Sequence, residues 1–110
     1  MSGTLPGTPR VRIPVRARPA DVIEVRTLFD HPMETGLRHD NSTAPPRDML
    51  ARLEVRRDGT PIFAADLRNG TAANPFHVFW VRMEATATFL FTWTDERGRA
   101  ASASARVVVG

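Results

Sequence analysis

The stretch LARLEVRRDGTPIFAADL, Leu50 to Leu67, decides the fold. Ala51, Leu53 and Val55 alternate with Arg52, Glu54 and Arg56, the period of two that marks a half-buried strand rather than a helix. Asp58-Gly59 then interrupts the pattern, and this dipeptide between apolar runs is the strongest short-range hairpin signal. Pro61 to Leu67 returns as the partner strand. Working outward, Val22 to Phe29 repeats the alternation, after a turn at Arg18-Pro19-Ala20-Asp21. Before it, Val11, Ile13 and Val15 form a first strand, and Pro14 suits that strand to a sheet edge. Phe76 to Met83 and Thr86 to Thr94 are aromatic strands, the second with Phe89, Phe91 and Trp93 on one face. Ala100 to Val109 closes the chain. About seven short strands with regular turn signals predict an all-β, immunoglobulin-like antiparallel β-sandwich. Residues 1–9, rich in Gly, Pro and Thr, read as a flexible N-terminal tail. Residues 10–110 read as one domain.

The composition excludes whole classes of chemistry. The 110 residues include no Cys, no Tyr and no Lys, so all 15 basic residues are Arg. Without cysteine there is no disulfide, thiolate nucleophile or cysteine-ligated metal. Without lysine there is no Schiff base or phosphate-loop lysine. The pI of about 11.2 follows from the absence of groups that titrate between roughly pH 8 and 11. The net charge is only +3, and Arg10, Arg12, Arg16 and Arg18 read as a solvated strand face, so no nucleic-acid partner is expected. No run is long enough to span a membrane. Met1 to Arg18 contains no signal-peptide core.

Few residues suggest a site. The loop 30–47 holds Asp30, His31, Glu34, His39 and Asp40, but without the spacing of a metal loop, and neither a metal nor another cofactor is expected. The serines lie outside any nucleophile elbow. Asp66, after an apolar run, is expected as a buried, hydrogen-bonded carboxylate. Phe76 to Met83 is the unusual segment: Phe76, Val78 and Trp80 occupy one face and Phe79, Val81 and Met83 the other. One set fills the core. The other needs cover, from the long loop or, in the preferred reading, from a second protein.

The loop carries a recognisable pattern. His31-Pro32-Met33-Glu34-Thr35-Gly36, with Arg38 and Asp40 after it, resembles the signature stretch of the SoxZ family. The likeness continues through Pro46-Arg47, Phe63 to Leu67, Asn74-Pro75-Phe76 and Phe89 to Asp95, and covers residues 10–99. Asn41 to Pro45 stands where the family commonly has a charged linker.

The resemblance implies a non-catalytic subunit of a SoxYZ-type sulfur carrier. It would form a heterodimer with a SoxY-like protein whose C-terminal arm cysteine holds sulfur intermediates during thiosulfate oxidation. Other Sox enzymes would dock transiently. The location would be periplasmic, with export alongside the partner and no signal peptide of its own. His31, Met33, Glu34, Gly36, Arg38, Phe79, Trp80 and Val81 are the expected partner-binding residues, and a homodimer is the expectation when the partner is absent. The alternative is a free-standing immunoglobulin-like recognition module.

Overall fold

A computed structural model describes residues 3–31, 33–34, 36, 47–67 and 74–110. These contain eight strands: β1 (Thr8–Arg12), β2 (Arg16–Ala17), β3 (Val22–Asp30), β4 (Leu50–Arg57), β5 (Thr60–Asp66), β6 (Phe76–Arg82), β7 (Ala87–Asp95) and β8 (Ala100–Val109). One sheet has the order β1-β3-β6 and the other β2-β8-β7-β4-β5. The chain is therefore an all-β, immunoglobulin-like sandwich.

The Asp58-Gly59 turn forms as expected. Both residues have positive φ, 49° and 85°, the requirement of a type I′ hairpin. Asp58 also fastens the hairpin to β7: its N–H donates to the Thr88 carbonyl, and its Oδ1 accepts from the Thr88 N–H, both at 2.9 Å.

Alternation places the core. Leu53 and Val55 of β4 and Phe89, Phe91 and Trp93 of β7 face Ile23, Val25 and Phe29 of β3, all fully or nearly fully buried. Each such side chain removed from water contributes about 1.5–3 kcal/mol. Phe29 and Trp93 meet with ring centroids 5.3 Å apart. The inward row of β8 is small: Ala101, Ala103 and Ala105 lie partly buried against the same core as Val11 and Ile13.

The first strand departs from expectation in two ways. It divides at Ile13-Pro14-Val15, and its second part, β2, joins the other sheet in parallel with β8. Proline has no N–H to give a ladder, so the chain changes sheets there, and Val15, expected in the alternation, is 73% exposed. The fold thus gains an eighth strand and one parallel pair. The segment read as a tail is also engaged from Gly3 onward. The Leu5 N–H donates to the Ala100 carbonyl and the Ala100 N–H to the Gly3 carbonyl, while the Leu5 side chain is buried in the core. β1 itself begins at Thr8. Asp66, expected in the interior, is exposed at the end of β5, because β5 is an edge strand and its outward face meets water.

Candidate functional site

Two regions collect the residues singled out from the sequence. The first is the end of the sandwich where β3 leaves and β4 begins. His31 is 1% exposed. Its N–H donates to Asn74 Oδ1 and its carbonyl accepts from the Asn74 N–H, both at 2.9 Å. Its ring Nδ1 accepts from the Met33 N–H at 3.0 Å. Met33, buried and at φ 54°, turns its sulfur to the Leu50 N–H at 3.4 Å. Glu34 and Asp48 exchange two backbone bonds of 2.7 Å, and Glu34 Oε1 accepts from the Gly36 N–H. Gly36 has φ +82°, and a Cβ there would come within 3.2 Å of Arg47, so glycine is required by both conformation and space.

Charged groups extend this end. His31 Nε2 lies 3.3 Å from Asp48 Oδ1, without the alignment of a hydrogen bond. The same Oδ1 is 3.3 Å from the Arg99 guanidinium, whose Nε is 2.6 Å from Asp95 Oδ2. Burial pushes the Asp95 carboxyl up, but the Arg99 N–H, the Arg99 side chain and the Arg97 N–H outweigh it and hold the carboxyl below its ordinary value. Arg47 and Glu96 form a two-pronged ion pair beside it, at 2.7 and 3.0 Å. His31, Asp48, Arg99 and Asp95 thus form one chain of contacts. Among the described residues no cluster of three His, Cys, Asp or Glu side chains is arranged to hold a metal.

The second region surrounds β6. Its inner row is His77, Phe79, Val81 and, just beyond, Met83; its outer row is Phe76, Val78, Trp80 and Arg82. Phe79 and Val81 are each 8% exposed, whereas Trp80 is 62% and Phe76 56% exposed. Opposite the outer row, β3 presents Leu28, Arg26, Glu24 and Val22, with Val22 also well exposed. On the inner row Phe79 stacks on Phe63 of β5 at 4.4 Å. His77 sits against Phe63 edge-on, and burial pushes its imidazole below the ordinary value.

The expected partner-binding residues therefore separate. His31, Met33, Glu34 and Gly36 come together at the strand ends, where they shape the loop base. Phe79 and Val81 point into the core, and Trp80 alone of that trio reaches the surface. Trp80 is six residues beyond Asn74, about 20 Å along an extended strand. Arg38 lies outside the described residues. The sequence reading missed Asp48, Asn74 and Arg99 as partners of the motif. Asn74 could have been found from the Asn-Pro that precedes the aromatic strand.

The family model for the sulphur oxidation protein SoxZ matches residues 11–106. The chain belongs to the SoxZ family. The work of the His31–Gly36 stretch in this structure is local: its contacts tie the ends of β3, β4, β6 and β7 together at one end. SoxZ membership places the chain in a sulfur-oxidation carrier system. Among solved structures, the sulfur carrier protein SoxY from Chlorobium limicola f thiosulfatophilum is similar, with a TM-score of 0.66 and 13% identity over 93% of this chain and 78% of that one. A superoxide reductase (neelaredoxin) from Ignicoccus hospitalis is also similar, with a TM-score of 0.73 and 14% identity over 94% of this chain and 80% of that one. At such identities both likenesses concern the fold alone. No curated protein matches.

Proposed function

We propose that this SoxZ-family chain is the non-catalytic half of a SoxYZ-type carrier. It pairs with a SoxY-like subunit whose arm cysteine holds the sulfur intermediates of thiosulfate oxidation, in the periplasm after joint export. The observation that carries this reading is the family match across nearly the whole sandwich, in a chain without cysteine. A carrier that binds sulfur covalently needs a thiolate, so the thiol belongs to the partner. The exposed Phe76, Trp80 and Val22, interleaved with Arg26, Glu24 and Arg82, supply apolar anchors in a charged surround. Trp is among the residue types most often found to anchor an interface. Docking of the other Sox enzymes is assigned to the 31–40 loop, whose described residues His31, Met33, Glu34 and Gly36 are held by hydrogen bonds at the motif end.

Co-expression with a SoxY-like protein from the same genome tests the reading. The expected result is a stable one-to-one complex whose partner cysteine shows sulfur adducts by mass spectrometry. Two separately eluting proteins would overturn it.

A further inference from the structure

We infer that the SoxY-like partner lays an extended segment along the free edge of β6, as a fourth strand of the three-stranded sheet. This rests on the pairing proposed above and specifies how the contact is made.

The four sheet edges are protected unequally. Natural edges are blunted by proline, charge or brevity, since a bare edge invites a foreign strand. β1 carries Pro9 with Arg10 and Arg12. β2 is two residues long. β5 carries Pro61 and ends on Asp66. β6 has none of these devices until its last residue: Phe76-His77-Val78-Phe79-Trp80-Val81 precedes Arg82. β6 is bonded to β3 on one side only, so every second N–H and C=O along the other side has no strand partner among the described residues.

The surroundings fit a strand. Between the edges of β6 and β5 runs a cleft of about 310 Å³, lined by Ile62, Phe63, Phe79, Trp80, Val81, Arg57 and Arg82. An added strand would place alternate side chains over this cleft and the others beside Trp80, the arrangement in which main-chain bonds give affinity and side-chain pockets give selectivity. Inward positions of the segment are therefore apolar. Arg57 has no ion pair among the described residues; its guanidinium reaches the Arg82 carbonyl at 3.3 Å. A carboxylate on the segment fits at that end.

Amide hydrogen exchange on the full-length chain, alone and in its one-to-one complex with the SoxY-like protein, tests this. Successive amides of a strand point to opposite neighbours. In the free chain, β6 amides should alternate between slow, where β3 accepts them, and fast. In the complex the fast set should slow by about tenfold or more, a factor of ten corresponding to ~1.4 kcal/mol. A complex that leaves the fast set unchanged overturns the inference and keeps the pairing. Slow exchange of both sets in the free chain overturns it too, because the chain then covers its own edge. Failure to form any complex overturns the pairing and this inference together.

Discussion

Met33 shows what a motif residue does at the scale of one side chain. Its sulfur is the acceptor for the buried Leu50 N–H, a group that water cannot reach. Met33→Leu preserves the volume and removes the acceptor. A loss of about 1–2 kcal/mol is expected in urea unfolding, the cost of leaving a buried donor without its acceptor. His77 makes a second residue-scale prediction. Burial lowers its pKa in the folded chain, so below the unfolded value near 6.5 the unfolded chain binds more protons. Stability contributed by the neutral ring is complete above that value and is lost as pH falls. The urea midpoint should drop between about pH 7.5 and about pH 5.5. His77→Leu should flatten that drop, whereas an equal drop in the variant would assign the effect to other groups.

At the scale of the element, β6 separates two kinds of apolar residue that look alike in sequence. Phe79 stacks on Phe63 inside the sandwich, and Trp80 stands in solvent. Phe79→Ala should therefore destabilise the chain by about 3 kcal/mol or more, visible as a lowered unfolding midpoint without any partner. Trp80→Ala should leave that midpoint within ~0.5 kcal/mol and weaken binding of the SoxY-like subunit by roughly 30-fold, as for an interface anchor worth about 2 kcal/mol. Calorimetric titration measures the second effect. The split at Pro14 belongs to this scale as well. Alternation across Val11, Ile13 and Val15 suggests a single strand, and the missing proline N–H explains why the ladder changes sheets instead.

For the whole molecule, the proposed pairing would tie stability to assembly. A partner that binds only the folded chain adds about 2.7 kcal/mol at a hundred times its Kd, enough to raise Tm by about 10 °C in a domain of this size. Thermal unfolding at rising partner concentration should show that climb, and a constant Tm would exclude a binding partner of the folded state. The all-β class, the hairpin at Asp58-Gly59, the aromatic strands and the family were readable in the sequence, because alternation and turn chemistry are local and the motif is contiguous. Which row of β6 faces inward was not, because both rows are apolar and packing against the opposite sheet, such as that of Phe79 on Phe63, breaks the tie. Nor was the joining of His31 to Asn74 and Asp48. Those contacts span 43 and 17 residues, and a distance of that kind in the chain becomes proximity only when two sheets close on one core.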